Sequence, residues 1–381
     1  MAFYDNFVTE THQMLRQTAT RFAVEQIRPH AARWEEEGIF PRELYQKAAE
    51  TGLLGVGFDE EVGGCGGDAM AMVMVIEGLM QGGSTGVAAG LGSLGIALPP
   101  IVAGGDEAQI DRYVRPALAG EAICALAITE PDTGSDVAAV KTRAVGDGDH
   151  YIVDGAKTFI TSGVRADFLT TLVRTGDDPH GGLSFVVIDT SSDGVHRSKP
   201  LKKHGWWASD TAEIAFEKVR VPAENLVGAE GAGFVTLMQN FQNERLALAV
   251  YGVATAQLAL DEALEYSQQR NAFGRPIARF QVNRHKLVDM KSRITATRTF
   301  VYQVAHRMAA GDYLVEEVSM AKNLAAQLAV DVCYEAVQLH GGMGYMRESL
   351  VERLSRDARL LPIGGGTQEI MKEIIAKQMG L

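Results

Sequence analysis

The stretch YIVDGAKTFITSG, residues 151–163, decides the fold class, because it has the pattern of strands in a chain that otherwise has the pattern of helices. Its two β-rich runs, YIVDG and KTFITSG, are separated by Gly and Asp turn signals, as in short strands joined by turns. The pattern recurs in FLTTLVR at 168–174, LSFVVID at 183–189 and TAEIAFEKVRV at 211–221. The sequence therefore predicts a β domain over residues 121–228.

The part before this β domain, residues 1–120, has a helical texture. Apolar residues recur there at helix-like spacing with charged residues between them. They include Leu15, Phe22, Ile27, Leu44, Ala48 and Leu53. Glycine clusters at 63–67 and 82–95 are expected to interrupt the helices.

The part after the β domain, residues 229–381, also predicts helices. From Gly233 to Arg270 there is no proline, and apolar residues at 234, 237, 238, 241 and 248 form one face of a long helix. Further helices are expected around 280–310, 315–340 and 367–379. The predicted fold class is therefore α+β and multidomain, with a helical domain on each side of a β domain.

Composition and charge exclude several functions. The 381 residues carry 36 Lys and Arg against 48 Asp and Glu, a net charge of −12, which argues against binding to nucleic acid or an anionic membrane. Three widely spaced cysteines indicate neither a disulfide framework nor a zinc site. No uncharged apolar run reaches the roughly 18 residues of a membrane span, and the N-terminus lacks the pattern of a signal peptide. We expect a cytoplasmic protein without a metal or a membrane span.

Two local patterns are expected to carry no function. GLGSLG at 90–95 satisfies G-x-G-x-x-G but lacks the strand before it and the helix after it that dinucleotide binding requires. The basic run of Lys199, Lys202, Lys203 and His204 is expected to be a solvated loop.

Five motifs in order identify a family. They are TEPDTGSD at 129–136, KTFITSG at 157–163, QRNAFGRPIARFQ at 269–281, QLHGGMGYMRESLVERLSRDAR at 338–359 and GGTQEI at 365–370. A turn such as Gly134-Ser135-Asp136 exposes backbone N–H groups and hydroxyls that can hold a polar cofactor edge. Together the motifs resemble the acyl-CoA dehydrogenase family over essentially the entire chain.

The resemblance implies an N-terminal helical domain at 1–120, a middle β-barrel-like domain at 121–228 and a C-terminal four-helix domain at 229–381. It further implies a homotetramer with one FAD per subunit, an acyl-CoA substrate and electron-transfer flavoprotein as the electron acceptor. The cofactor residues that it implies near the flavin ring are Leu126, Ile128, Thr129, Gly134, Ser135, Phe159, Ile160 and Thr161. Those implied for the rest of the cofactor are Arg270, Phe273 and Gln281, then Gln338, Gly341 and Gly342 of a neighbouring subunit, and Thr367 and Glu369.

The family reaction removes the α-proton of an acyl-CoA thioester with a carboxylate while the β-hydrogen leaves as hydride to flavin N5. Many members carry this carboxylate in a Tyr-Glu-Gly-Thr segment, which corresponds to Gly364-Gly365-Gly366-Thr367 here. Gly365 therefore occupies the usual position of the base. A subgroup that includes the long-chain and isovaleryl-CoA enzymes carries its glutamate on the long C-terminal-domain helix, where this chain has Glu244.

Helix geometry agrees with Glu244 as the base. At about 100° per residue, Glu244 borders the apolar stripe of Phe234 and Phe241 rather than opposing it. The other substrate contacts that the resemblance implies are Ser135, Met238, Gln242, Arg245, Gly365 and Gly366. Glycine at 365 would remove bulk beside Glu244 and keep a backbone N–H for the thioester oxygen. The alternative for Glu244 is a surface carboxylate paired with a nearby arginine.

Other functions stay open at this point. An acyl-CoA oxidase or a flavin monooxygenase of the same fold would react with oxygen, and a non-catalytic relative would bind without chemistry. The apolar residues Val87, Leu91 and Ile96 are expected at the floor of the acyl pocket, where they permit a deep or branched pocket. A long-chain or branched acyl group fits this reading, but the sequence does not fix its length.

Overall fold

The computed structural model describes residues 5–381, and helices make up its first part. The helices Glu10–Phe22 (α1) and Ala69–Met80 (α4) pack side by side, and Gly78 lets them approach, because a Cβ there would lie 2.5 Å from Ala19 Cβ. Two π-helical segments, Ala23–Ile27 and Ile110–Val114, adjoin these helices. The helices are α1 Glu10–Phe22, α2 Ala31–Glu37, α3 Glu43–Glu50, α4 Ala69–Met80, α5 Thr85–Leu91, α6 Leu94–Ala97, α7 Pro99–Gly104, α8 Glu107–Gln109 and α9 Arg115–Leu118.

The glycine cluster at 82–95 interrupts the helical structure as expected, between α4 and α5 and again between α5 and α6, but α5 itself lies inside it. The Ser84 side chain caps α5 by accepting a hydrogen bond from the Val87 backbone N–H at 3.2 Å. The glycines serve close packing. A Cβ at Gly90 would lie 2.5 Å from Phe40 Cε1, and one at Gly86 would lie 3.0 Å from Trp206 Cα. GLGSLG therefore spans the end of α5 and the start of α6, without a preceding strand.

The middle part is one eight-stranded sheet in the order β6-β7-β3-β2-β4-β5-β8, with β1 paired in parallel to β4. YIVDG and KTFITSG form one strand, β3, rather than two runs. Gly155, at φ +149°, accommodates a register shift there, since a Cβ would lie 2.5 Å from Thr142 Oγ1. The strands are β1 Cys124–Ala127, β2 Arg143–Asp147, β3 His150–Thr161, β4 Phe168–Arg174, β5 Leu183–Asp189, β6 Val195–Arg197, β7 Thr211–Pro222 and β8 Leu226–Val227.

The last part is a bundle of long helices, as predicted, and the α+β fold class is confirmed. The helices Gly233–Gln269 (α10) and Val315–His340 (α12) pack closely at Gly252, where a Cβ would lie 2.6 Å from the Ala325 carbonyl oxygen. A short hairpin of β9 and β10 joins α10 to α11. The elements are α10 Gly233–Gln269, β9 Asn271–Ala272, β10 Arg275–Pro276, α11 Gln281–Ala309, α12 Val315–His340, α13 Leu350–Ala358 and α14 Gln368–Gln378.

Lys203 corrects the expectation of a solvated basic loop. Its side chain is half-buried, and Nζ donates hydrogen bonds to the Ser209 carbonyl and, at 2.8 Å, to Thr211 Oγ1. The other three residues of the run are exposed. Burial lowers the pKa of the Lys203 amine to about 8.

Within residues 5–381, no single helix is both long and apolar enough to cross a membrane. One bent pair, Thr85–Leu91 with Leu94–Gly104, passes by length and composition alone, and α5 within it is buried in the protein core. Over the same residues, no three or more His, Cys, Asp or Glu side chains form a group that could hold a metal ion. Cys65, Cys124 and Cys333 are free thiols.

Candidate active site

A cavity of about 1400 Å³ lies between the N-terminal helices, the sheet and the C-terminal bundle. Its walls come from α4 to α6, from β1 and the loop after it, from the end of β3, from α10 and from the turn before α14. Most of the residues that the sequence indicated line this one cavity. They are Leu126, Ile128, Thr129, Gly134, Ser135, Phe159, Ile160, Thr161, Phe234, Met238, Phe241, Glu244, Arg245, Gly365, Gly366 and Thr367.

Gln242 does not line the cavity, which corrects the substrate contact expected for it. It precedes Glu244 by two residues, so its side chain points about 200° away around α10. It is 5% exposed, and its amide donates a 3.4 Å hydrogen bond to the Met238 carbonyl. The same face of α10 therefore cannot present both Gln242 and Glu244 to one ligand.

A second set of expected cofactor residues is exposed and does not line the cavity. Phe273, in the β9–β10 hairpin, is 96% exposed at a positive φ of 51°. Glu369 is exposed in the first turn of α14. The remaining members are exposed as well, namely Arg270, Gln281, Gln338, Gly341 and Gly342. Within one chain none of these residues lines the cavity, although Glu369 adjoins Thr367, which does.

Glu244 lies on α10 with its carboxylate on the cavity, half-buried among apolar neighbours. Burial is the largest effect on it and raises the pKa of the carboxyl above its ordinary value, while the charges of Arg245 and Lys322 lower it by less. Among the described residues, no hydrogen bond or ion pair within normal distance reaches this carboxylate. Glu244 is therefore not the surface carboxylate paired with an arginine that the sequence allowed as an alternative.

The turn before α14 faces Glu244. Gly365 and Gly366 have positive φ angles of 63° and 97°, which L residues with a side chain rarely adopt. A Cβ at Gly365 would lie 3.4 Å from Glu244 Oε1 and 2.3 Å from Leu248 Cδ1. Glycine at 365 therefore leaves room for the Leu248 side chain and lets the backbone of the turn approach the Glu244 carboxylate.

Thr367 closes this turn as the N-cap of α14. Its side-chain oxygen accepts a hydrogen bond from the Ile370 backbone N–H at 3.3 Å. Thr367 is thus engaged in the helix start as well as lining the cavity.

Arg245 brings a positive charge to the cavity wall. It is 5% exposed, and its guanidinium lies 5.3 Å from the centre of the Phe241 ring. Its buried Nε has no hydrogen-bond partner among the described residues. Buried polar groups are normally satisfied, so Arg245 offers a donor to a bound ligand.

An exposed aromatic side chain lies on the cavity wall at the end of β3. Phe159 is 68% exposed and holds a positive φ of 61°, a strained backbone conformation for a residue of this size. Ile160 and Thr161 follow it on the cavity wall. A planar apolar face beside a hydroxyl fits a planar heteroaromatic ring system.

A buried ion pair fixes the loop after β1 beside this wall, and the sequence analysis did not identify it. Lys157 Nζ lies 2.9 Å from Glu130 Oε1, and neither side chain is more than 5% exposed. Glu130 also accepts the backbone N–H groups of Lys141 at 2.7 Å and Thr142 at 2.8 Å. Lys157 donates to the Ile128 carbonyl at 3.0 Å, so the pair anchors the Ile128–Thr129 backbone.

The cavity continues into the N-terminal helices. Two glycines of GLGSLG, Gly92 and Gly95, line it, and no heavy atom lies within 4 Å of the position of a Cβ at Gly95. The expected floor residues Leu91 and Ile96 line it, but Val87 does not. Beyond them the lining is mostly apolar and includes Ala48, Leu53, Leu54, Val56, Phe58, Met72, Val75, Ile76 and Leu79.

Comparison with known families matches this architecture along the chain. The N-terminal domain of acyl-CoA dehydrogenases matches residues 9–121, the middle domain matches 125–219 and the C-terminal domain matches 231–380. The chain belongs to the acyl-CoA dehydrogenase family. The family resemblance seen in the sequence is confirmed, and the chain is an oxidoreductase that acts on acyl-CoA.

Several members of the family are close relatives of this chain. The long-chain specific acyl-CoA dehydrogenase of Sus scrofa mitochondria is 39% identical over 97% of this chain and 86% of its own length. The CarC subunit of the caffeyl-CoA reductase-Etf complex of Acetobacterium woodii is 35% identical over 97% of this chain and 98% of its own. The crystal structure of a probable acyl-CoA dehydrogenase from Mycobacterium abscessus has a TM-score of 0.97 at 54% identity, covering 98% of this chain and 100% of that one.

One residue behind the turn before α14 was missed in the sequence. Lys322, on α12, is fully buried, and its Nζ donates a hydrogen bond to the Gly366 carbonyl. The sequence could have indicated that Lys322 is buried, because it follows Val318 by four residues and precedes Ala325 by three on the apolar face of α12. A lysine at such a position needs a partner in the protein.

Proposed function

We propose that this chain catalyses the FAD-dependent α,β-dehydrogenation of a long-chain or branched acyl-CoA, with Glu244 as the base. The observation that supports this proposal most strongly is the Glu244 carboxylate, which lies on an apolar cavity beside the backbone of Gly365. The family supplies the reaction type, and the geometry favours Glu244 over any residue of the 364–367 turn as the proton acceptor.

The residues along one wall of the cavity fit a flavin. Phe159 offers a planar face, Thr129 and Thr161 offer hydroxyls, and the Glu130–Lys157 pair fixes the backbone beside them. Bound there, FAD would accept the β-hydrogen of the substrate as hydride. The exposed group at Arg270, Phe273, Gln281, Gln338, Gly341 and Gly342 would hold the remainder of the cofactor across a subunit boundary.

Glu244 is suited to take the α-proton. A general base works best when its pKa lies near the working pH, and burial raises the pKa of the Glu244 carboxyl in that direction. The apolar lining around it excludes water, which strengthens electrostatic interactions inside the cavity. In this proposal the backbone N–H groups of the Gly365–Gly366 turn stabilise the thioester oxygen as negative charge develops on it.

The remaining substrate contacts lie along α10. Phe234, Met238 and Phe241 form an apolar wall, and Arg245 carries the unpartnered donor described above. In this proposal, Arg245 contacts a polar part of the CoA ester and Ser135 lies near the thioester end. The apolar lining that continues among the N-terminal helices supports a long acyl group.

The proposed assembly is a homotetramer that passes electrons to electron-transfer flavoprotein. Large apolar side chains on the outside of the bundle support subunit contacts there. The exposed fractions of Phe273, Val282, Tyr334 and Tyr345 are 96%, 62%, 66% and 84%. Sedimentation of the purified flavoprotein would measure its oligomeric state.

The test is an oxygen-free titration of the purified flavoprotein with acyl-CoAs from short to long and branched chains. We expect the visible flavin absorbance to bleach on addition of acyl-CoA alone, most strongly with long or branched chains. Bleaching followed by rapid reoxidation in air would indicate an oxidase. Binding of FAD and acyl-CoA without bleaching by any of them would contradict the proposed reaction.

A further inference from the structure

Lys322 connects α12 to the turn that faces Glu244. The side chain is 0% exposed, and its ammonium group donates a hydrogen bond to the carbonyl oxygen of Gly366. Burial is the main influence on this amine and lowers its pKa to about 8. A charged group is costly to bury without a specific partner, and the partner here is the backbone of the turn itself.

The turn has few other attachments to the core. Its two glycines have positive φ angles and no side chains to pack. In α14, which follows the turn, Met371 is the buried residue. Beside Lys322 on α12, Asn323 Nδ2 donates to the Gln368 carbonyl at 3.1 Å. Lys322 and Asn323 therefore hold the turn and the first residues of α14 against α12.

Lys322 also belongs to the set of charges around the Glu244 carboxylate. Two positive charges lower the pKa of the Glu244 carboxyl: Arg245, which lies on α10 beside it, and Lys322, which lies on α12. The pKa of Lys322 in turn depends on the charges of Arg245, Glu244 and Glu369, the last of these on α14. The pKa of Arg245 depends on Tyr313 as well as on Glu244. Loss of the Lys322 charge would leave Arg245 as the cation that favours the ionised carboxylate.

We propose that Lys322 is a positioning residue for the dehydrogenation, because it fixes the Gly365–Gly366 backbone in front of Glu244. Its positive charge additionally favours the ionised form of the Glu244 carboxylate. This inference rests on the proposed function, in which Glu244 takes the proton and the turn donates to the thioester oxygen. Lys322 acts through these groups and does not line the cavity itself.

The test compares two variants with a matched control. Lys322→Met removes the charge and the hydrogen-bond donor, whereas Lys322→Gln removes the charge and keeps a donor. Lys286→Met is the control, since Lys286 also pairs with α12, through Glu335 at 2.6 Å, but is partly exposed and remote from the cavity. Each protein is purified with its flavin, and its thermal unfolding is recorded first.

Three readouts then separate positioning from general stability. Amide hydrogen exchange in a peptide that covers 361–371 should become faster in Lys322→Met than in the wild type. Its kcat should fall about tenfold or more, because small misplacements of reacting groups have effects of that size, with a smaller change in KM. The acid limb of kcat/KM against pH should move upward by about half a unit or more in both Lys322 variants.

The comparison of these variants can overturn the proposed role of Lys322. If Lys322→Met is folded and matches the wild type in exchange, kcat and pH profile, or if Lys286→Met changes all three equally, the inference is wrong. If Lys322→Met does not fold, the acid limb of Lys322→Gln decides: an upward shift supports the inference and an unshifted limb overturns it. A wild type that no acyl-CoA bleaches would instead overturn the proposed function, while the exchange measurement still tests the role of Lys322 in holding the turn.

Discussion

The Glu244 carboxylate and the backbone of Gly365 face each other so closely that a Cβ at residue 365 would lie 3.4 Å from Glu244 Oε1. The two residues are 121 positions apart in the chain, and they meet because α10 and the turn before α14 line the same cavity. A side chain at residue 365 would collide with Leu248 and crowd the carboxylate. The position of the acid on the helix and the glycine on the turn therefore depend on each other.

Gly365→Ala is expected to destabilise the protein by about 1–2 kcal/mol, the usual cost of a left-handed conformation for a residue with a Cβ. Contact with Leu248 Cδ1, at 2.3 Å from the new Cβ, adds to that cost. Chemical denaturation would measure the loss. Gly364→Ala is the control, because its Cβ would approach no atom closer than 3.8 Å. Equal stability of the two variants would contradict the geometry of the turn.

Glu244→Gln is expected to change stability in a pH-dependent way. Because burial raises the pKa of the folded-state carboxyl, the folded wild type binds more protons than the unfolded chain, and its stability decreases as pH rises from the ordinary glutamate pKa through the raised one. The glutamine has no such proton to lose. The variant should therefore gain thermal stability relative to the wild type at pH 8 and gain less at pH 4.5. A difference that does not depend on pH would refute the raised pKa.

Gly95→Leu is expected to shift the substrate preference towards shorter acyl chains. The glycine faces the cavity with no heavy atom within 4 Å of its Cβ position, so a side chain fits there and reduces the space for an acyl chain. The kcat/KM for each chain length would measure the shift. Gly146→Leu, at an exposed site on β2, is the control. An unchanged chain-length profile would show that the acyl group does not pass Gly95.

Lys157→Met is expected to cost about 3–5 kcal/mol, since it leaves the buried Glu130 carboxylate without its ion-pair partner. Because the pair anchors the Ile128–Thr129 backbone, flavin affinity should fall as well. Urea denaturation and flavin dissociation would measure the two effects. Lys141→Met is the control, because its ion pair with Asp132 is exposed. A loss no larger than in this control would contradict the structural role of the pair.

Local patterns in the sequence predicted those features that depend on neighbours along the chain. The apolar stripe of α10 predicted both the long helix and the side of it on which Glu244 lies, because helical periodicity relates Phe234, Phe241 and Glu244 directly. The same periodicity applied to Gln242 would have placed it on the opposite face. The β-rich runs predicted the sheet, although Gly155 accommodates a register shift within β3 instead of ending a strand.

Other features depend on contacts between distant segments, and the sequence did not show them. The sequence indicated breaks between helices in the glycine cluster at 82–95, but not that Phe40 and Trp206 pack against Gly90 and Gly86 within α5. The ion pair of Glu130 and Lys157 joins residues 27 positions apart across a loop and a strand. Lys322 reaches Gly366 from another helix. Such partners are defined only once the chain has folded.

The central claim is that Glu244 is the base, and one comparison tests it most directly. Wild type and Glu244→Gln are mixed with a long-chain acyl-CoA without oxygen, and the flavin absorbance is followed after FAD content and acyl-CoA binding have been verified for both. The account predicts that the wild type bleaches and that the variant, although it binds both ligands, bleaches at least about 10³-fold more slowly. Equal bleaching in the two proteins would contradict the account and require another proton acceptor.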